Sequence, residues 1–384
     1  MKLVFVKEQI IEGLQKAAAI IPAKTGAAYL RSVWLKAEGE NVSIMATDAN
    51  IEFSGSYPAQ VAEPGLVGVQ GRAFVDLVRQ LPAGNIQVTL DAASGTLLLE
   101  QGRRKYKLPV NDQVWFQNFS EFPAEGAVVW SGDFLQDLLE RVAFCIGDDD
   151  AMDAIACLYI KPVENGRIEV CGLNGHQFAL VGFTHDELAA RLPKEGVLVQ
   201  KKYLQELKKW LGGDEIELNI TDKRLYLRTL DGREMLSLPR ATYQYPDYMV
   251  FLSKLNAENS SALQLDRKEC VDALGRISIF NTDNDRCTYM DLSEGEAVLS
   301  AQGQDVGSAN ESLEAVYRGN IPRIAFPTRN LMDIMGHFIS ARLDLILTGP
   351  EGPCGVTGKD DPDYTVIIMP MKIADTTYYS EEDV

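Results

Sequence analysis

The residues with the most chemical potential are two carboxylate clusters. IGDDDAMD gathers Asp148, Asp149, Asp150 and Asp153, and GKDDPDY holds Asp360, Asp361 and Asp363. Carboxylates this dense could hold a pair of divalent cations, which is the chemistry of a two-metal nuclease. The two clusters fall in separate loops, with no neighbouring base or basic pocket, so they argue against metal catalysis. The three histidines, His176, His185 and His337, lack HExxH or any other metal-ligand spacing. No GxxxxGK[ST] phosphate loop, GxGxxG turn or GxSxG elbow is present. GPEGPCG at 349–355 is glycine-rich but links two strands and has no helix after it, so it reads as a turn. The expectation is a chain with no catalytic residue, no metal and no cofactor. Cysteines at 145, 157, 171, 270, 287 and 354 form no CxxC pair and several sit in apolar runs, as buried thiols in a reducing cytoplasm do.

What stands out instead is a charge contrast. Residues 201–213 read KKYLQELKKWLGG. Tyr203, Leu204, Leu207, Trp210 and Leu211 fall at helical spacing, while Lys201, Lys202, Lys208 and Lys209 cover much of the remaining surface. Yet the 384 residues carry a formal charge of −18. A cationic helix in so acidic a chain is either an ordinary solvated face or a surface that meets a polyanion while the acidic remainder repels stray contacts. The opening MKLVFVKEQIIEG has too short an apolar run for a signal peptide, and no segment approaches the ~20 apolar residues of a membrane helix.

The elements that hold this helix repeat. VQKKYLQELKKWLGGDEIELNI has counterparts in VQGRAFVDLVRQLPAGNIQVTL and FPTRNLMDIMGHFISARLDLIL. Phe74, Leu204 and Leu331 correspond, as do Leu77, Leu207 and Ile334, and each helix leads into an alternating strand. Openings of strand then helix also recur, aligning Leu14, Leu138 and Leu274. Each repeat is a domain's length and far exceeds a solenoid period. The reading is an α+β chain of three domains, 1–125, 126–255 and 256–384, each packing two helices on antiparallel sheets. The basic residues on the second helices are Arg72 and Arg79 at 71–82, the four lysines at 201–211, and Arg323 and Arg329 at 323–338.

ATDANIEF (46–53), GRAFVDLVRQLP (71–82), LNGHQFAL (173–180), YPDY (245–248) and VIIMPMKI (366–373), in this order across a threefold repeat, resemble the bacterial DNA polymerase III beta subunit, the DNA sliding clamp. The resemblance covers essentially the whole chain. It implies a head-to-tail homodimer, a six-domain ring of clamp domains around duplex DNA, serving as the non-catalytic processivity factor in the cytoplasm, at the nucleoid. The helices would line the hole, presenting Lys24, Arg72, Arg79, Lys201, Lys202, Lys208, Lys209, Arg323 and Arg329 to DNA without reading its sequence. A cleft between the second and third domains would take short linear peptides from the polymerase alpha subunit, the clamp loader, other polymerases and repair proteins. Matching residue by residue, it would use Ile155, Leu173, Gly175, His176, Gln177, Phe178, Pro246, Val250, Phe251, Pro353, Ile367, Ile368, Met369, Pro370 and Met371. The first and third domains would meet through Tyr106 and Leu108 on one side and Ile279 and Phe280 on the other.

The chain also departs from that family. Gln177 stands where an Arg is common after the pocket His, Leu173-Asn174 replaces Thr-Asp, and Val250 occupies a usually basic position. The loop 147–154 is acidic. An acidic tail, ADTTYYSEEDV (374–384), follows MPMKI where the family usually ends, and is expected to be flexible. Two other classes stay open: a nuclease using the aspartates, which predicts metal-dependent turnover lost on changing Asp149 or Asp361, and a scaffold that binds only proteins, which predicts that the basic helices are dispensable for loading on DNA.

Overall fold

Alternation builds the first strand. In Lys2–Val6, Leu3 and Phe5 are buried and the residues between them are not. The computed structural model describes residues 1–22, 27–148, 153–256, 260–282, 286–303 and 305–373. It falls into two compact units: Met1–Leu139 with Asp186–Thr242, and Glu140–His185 with Tyr243–Val384.

In the first unit one antiparallel run of strands follows the order Lys2–Val6, Asn85–Asp91, Thr96–Gln101, Arg104–Asn111, Gly65–Gln70, Ser32–Glu38, Asn41–Thr47, Glu52–Glu63, Glu234–Pro239, Arg224–Thr229, Glu215–Ile220 and Val128–Ser131. Glu52–Glu63 is long enough to serve twice. Its first half pairs with Asn41–Thr47, and Ala59 to Glu63 turn to pair with Lys2–Val6. The tight link between Asn41–Thr47 and Glu52–Glu63 is made by TDAN. Asp48 Oδ1 accepts from the amides of Asn50 and Ile51, both at 2.8 Å, which lets Ala49 adopt φ 81°.

Helices α1 (Lys7–Ile20), α2 (Gly71–Gln80), α3 (Gly132–Ala143), α4 (Asp186–Arg191) and α5 (Lys201–Trp210) follow in chain order, and the boundary between the units falls within α3. α1 packs against both α2 and α5 and lies on Asn41–Thr47 and Glu52–Glu63, so α2, α1 and α5 stand in a row on the sheet. Its buried stripe is Ile10, Gly13, Leu14, Ala17 and Ile20. Gly13 is there because Tyr57 crosses the helix at that point: a Cβ would sit 2.0 Å from Tyr57 Oη. That hydroxyl donates to Glu234 Oε1 at 2.5 Å, and Glu234 Oε2 accepts from Lys16 Nζ at 2.7 Å. Burial, then the neighbouring Glu234, push the Tyr57 pKa up, so the phenol stays a donor. This buried chain of bonds fixes α1 on the sheet.

The second unit orders its strands Cys157–Pro162, Arg167–Leu173, Gln177–Thr184, Tyr364–Ile368, Cys354–Gly358, Arg342–Leu347, Ser261–Asp266, Gly307–Arg318, Glu296–Gly303, Cys287–Ser293 and Arg323–Pro327. Helices α6 (Met249–Leu255), α7 (Arg267–Ile277) and α8 (Thr328–Gly336) complete it. α7 packs on α8, burying Cys270, Ala273, Leu274 and Ile277 against Leu331, Ile334 and Met335.

The repeat is explicit in the element order. A strand runs directly into a helix at 2–20, 128–143 and 261–277, and again at 65–80, 197–210 and 323–336. Two short helices, α4 and α6, add to the two per repeat that periodicity predicts. Asp186 and Glu187 open α4, and just before α6 Asp247 Oδ1 accepts from the Met249 amide.

Candidate nucleic-acid and partner-binding surfaces

Three helices carry all but one of the cationic candidates that the structure describes. On α2, Arg72 and Arg79 are exposed, and Arg79 pairs with Asp76 at 2.9 Å one turn back. On α5, Tyr203, Leu204, Leu207 and Trp210 turn into the core, so the lysines are set at its flanks and outer face. Lys202 is exposed, its ammonium 5.0 Å from the Tyr203 ring centroid, and Lys209 reaches Glu206 at 2.9 Å. Lys201 and Lys208 are half-buried. On α8, Arg329 is exposed.

Arg323 is corrected. It lies in the strand Arg323–Pro327, before α8, with its guanidinium 3.5 Å from Asp291 and 4.9 Å over the Tyr289 ring. Ile324, Ala325 and Phe326 form a continuous buried run, which a helical periodicity cannot separate from the helix that follows. Lys24 lies outside the described residues. Lys7, which sequence reasoning passed over, donates to the carbonyls of Arg79, at 2.7 Å, and Leu81, so it caps the carboxyl end of α2.

Among the described residues, the interface candidates lie at or beside strand edges that are paired on one side only. Arg104 to Pro109 pair with Thr96–Gln101 on one side, and only Val110 and Asn111 reach Gly65–Gln70 on the other. Tyr106 and Leu108 stand half-buried on this edge between exposed Arg104, Lys105 and Lys107. In the second unit, Gly307 to Glu314 pair with Glu296–Gly303, and only the following residues pair with Ser261–Asp266. Glu311 and Glu314 lie on this second edge. Ile279, at the end of α7, is 69% exposed, and Phe280 beside it is half-buried.

All the peptide-pocket candidates fall within the second unit. The turn between Arg167–Leu173 and Gln177–Thr184 is made by Asn174, Gly175 and His176. Gly175 takes φ 87°, and Asn174 Oδ1 accepts from the amides of His176 at 3.0 Å and Gln177 at 2.8 Å. Asn174 Nδ2 donates to Gln177 Oε1 at 3.1 Å, so the two departures at 174 and 177 form one pair and Gln177 is buried. Phe178 pairs in register with Ile367, and Gln177 with Ile368. The His176 carbonyl accepts from the Met369 amide at 2.9 Å, which ties the turn to the VIIMPM segment.

α6 closes the other side. Tyr248 stacks on Phe178 at 5.5 Å and its hydroxyl donates to Glu169. Leu255 sits over Gly355, where a Cβ would meet it at 2.6 Å, so only glycine admits the helix. The candidates therefore divide. Ile155, Leu173, Phe178, Pro353, Ile367 and Ile368 are buried. Pro246, Phe251, Met369 and Pro370 are half-buried, while Gly175, His176, Val250 at 50% and Met371 at 44% are exposed. Met249, 52% exposed, stands beside Val250 in the chain. It lies in the YPDYM start of α6, where Asp247 Oδ1 accepts from the Met249 amide at 3.1 Å.

Asp361 and Asp363 of the second carboxylate cluster do structural work. Asp361 is 3% exposed and accepts from the Ile339 and Ser340 amides, from Ser340 Oγ at 2.5 Å, and from Arg141 at 3.1 Å. Asp363 pairs with Arg167 at 2.8 Å. Asp148 and Asp153 are exposed, and Asp149 and Asp150 lie outside the described residues. Among the described residues, no group of three or more His, Cys, Asp or Glu side chains could hold a metal. His337 stacks on Phe144 at 4.1 Å. The six cysteines are buried, and no helix among the described residues is long and apolar enough to cross a membrane.

A thrice-repeated pair of strand-to-helix units on antiparallel sheets, with cations on the second helices, defines a clamp-domain protein. The DNA polymerase III beta subunit N-terminal domain matches residues 1–120, and the C-terminal domain of that subunit matches residues 254–372. The beta sliding clamp of Caulobacter vibrioides is 23% identical over 379 residues, covering 97% of this chain and 100% of the relative. The crystal structure of the Caulobacter crescentus DNA polymerase sliding clamp superposes with a TM-score of 0.89 at 23% identity, over 97% of this chain and 100% of that one. The Pseudomonas aeruginosa sliding clamp bound to griselimycin gives 0.86 at 22% identity, with the same coverage. The chain belongs to the DNA polymerase III beta subunit family, and its function is that of a DNA sliding clamp, a non-catalytic subunit that tethers the replicative polymerase.

Proposed function

We propose that two copies of this chain close head to tail into a ring of six clamp domains around duplex DNA, each copy contributing 1–125, 126–255 and 256–384. The observation that carries this reading is the pair of open strand edges. Arg104–Pro109 offers backbone donors and acceptors with cations beside them, and Gly307–Glu314 offers the same with carboxylates. Each edge is a template for an added strand, and opposite charges across the pair favour this register over like-with-like pairing. Tyr106 and Leu108 would meet Ile279 and Phe280, giving exposed Ile279 a dry partner. Because the two edges are different surfaces, each copy offers one edge to its partner and takes the other, and with two copies this closes into a head-to-tail ring.

Inside the ring, Arg72, Arg79, Lys201, Lys202, Lys208, Lys209 and Arg329 would face DNA. Most are exposed or paired loosely with carboxylates on their own helices, which suits contact with phosphates through water. Such contacts are non-specific and allow sliding; ring closure retains the DNA. The second-unit surface around the 174–176 turn, α6 and Met369–Met371 would take short linear peptides from the polymerase alpha subunit, the clamp loader and other polymerases and repair proteins. Methionines at an apolar rim repack around different anchors, which suits many partners. The tethered polymerase then stays at a high effective concentration near its primer end. The setting is cytoplasmic, at the nucleoid.

The DNA part is tested by changing Arg72, Lys202, Lys209 and Arg329 to Gln together. All four are exposed, so the fold should hold. The log–log salt dependence of binding to duplex DNA should become shallower by about 0.9 for each phosphate that is no longer neutralised. An unchanged slope would mean these helices do not face DNA.

A further inference from the structure

We propose that one ordered water molecule is built into the first unit between α1 and α5, accepting a hydrogen bond from the indole of Trp210 and donating one to Glu206. The two helices pack on each other over the sheet, and a cavity of about 10 Å³ is lined by both. That volume is about what a single water needs. The sheet supplies Phe53 and Leu236, which pair in register across neighbouring strands. α1 supplies Lys16, Ala19 and Ile20, and α5 supplies Glu206, Lys209 and Trp210.

Two polar atoms of these lining residues, Trp210 Nε1 and Glu206 Oε2, are buried with no hydrogen-bond partner among the described residues. Trp210 is 5% exposed, so its N–H is shielded from bulk solvent. The chemistry of the two atoms is complementary. An indole N–H only donates, and an ionised carboxylate oxygen only accepts. A cation at this place would face the indole hydrogen, and an anion would face the carboxylate. Water accepts from the first and donates to the second, which spares both atoms the cost of burial without a partner. The neighbouring charges are already engaged. Glu206 Oε1 accepts from Lys209 at 2.9 Å. Lys16 pairs with Glu12 at 2.9 Å and with Glu234 at 2.7 Å. With the water on Oε2, both Glu206 oxygens have donors. The carboxylate is then fixed beside Lys209 and the indole is fixed at the end of α5. The helix that carries the four lysines is thereby held in one orientation against α1, whatever those lysines meet.

The experiment is a crystal structure of the full chain at a resolution that shows ordered solvent. A solvent peak should lie within about 3.2 Å of both Trp210 Nε1 and Glu206 Oε2. Ordered density with no such peak, or an indole N–H bonded directly to Glu206, overturns the proposal. A solution measurement adds a second arm. The chain has four tryptophans, so its indole N–H resonances are few, and Trp210→Phe identifies that of Trp210 by removing it. Ala19→Val adds two methyl groups to the cavity lining and should expel the water. The Trp210 indole proton should then shift upfield, as a donor that has lost its acceptor does, while the other three indoles stay in place. An unchanged Trp210 resonance in Ala19→Val would also overturn the proposal.

Discussion

Ile279→Asp should convert the proposed dimer into monomers without unfolding the chain. Ile279 is 69% exposed in the single chain, so a carboxylate there costs the fold little. In the proposed ring it is buried against the edge carrying Tyr106 and Leu108, and glutamates already lie on the adjoining strand. Burying a new carboxylate beside them, without the apolar anchor, should cost about 2–4 kcal/mol at each interface. That raises the dimer dissociation constant by roughly thirtyfold to a thousandfold per interface, and a two-fold ring carries the change twice. Sedimentation of the variant should show monomer at micromolar concentration with an unchanged melting temperature. A variant that remains dimeric would place Ile279 outside the interface.

Asp361→Asn should be among the most damaging single changes to the second unit. Asp361 ties the end of α3, through Arg141, to the loop after α8, through Ile339 and Ser340. Arg141 also lies 5.2 Å over the Tyr364 ring, and Tyr364 Oη donates to the Arg141 carbonyl at 2.9 Å. Removing one partner of a buried pair leaves the other charge uncompensated, at a cost of about 3–5 kcal/mol. The melting temperature should fall by roughly 6–20 °C for a unit of this size. The pH dependence has a definite sign. Burial by itself would raise the Asp361 pKa, but the Ser340 hydroxyl, the backbone amides and Arg141 outweigh it and hold it below the ordinary value. A depressed folded-state pKa gives stability that is present above the unfolded value of about 3.9 and is lost as pH falls through the folded value. The native chain should therefore lose stability at acid pH through this residue, and the variant should lack that component. Equal melting temperatures at pH 7 would contradict the role assigned to the pair.

The contrast between this aspartate and its neighbours marks what the sequence could carry. GKDDPDY shows three carboxylates, and nothing local says which one is buried. That depends on Ser340 and Arg141, 21 and 220 positions away. The repeat was legible because it rests on spacing: Phe74, Leu204 and Leu331 each face inward for the same helical reason. Arg323 was misplaced because its neighbours are buried on both faces and show no period. The 174–176 turn was legible in Asn174-Gly175, but the division of the candidates around it into buried and exposed residues was not, since Ile367 and Met371 are alike in sequence and differ only in what covers them. Gln177 looked like a lost cation; its amide is instead held by Asn174. The open edges were invisible, because an edge is defined by the strand that fails to pair with it.

The central claim is topological, and retention on closed and open DNA tests it most directly. The clamp would be loaded on circular duplex DNA by its loader and washed at high salt, where phosphate contacts are screened. The account predicts that the clamp survives on the intact circle and is lost within minutes once the circle is linearised. Equal loss from circle and linear DNA would contradict it, because the basic helices would then be an ordinary ionic surface and the ring would not be what holds the duplex.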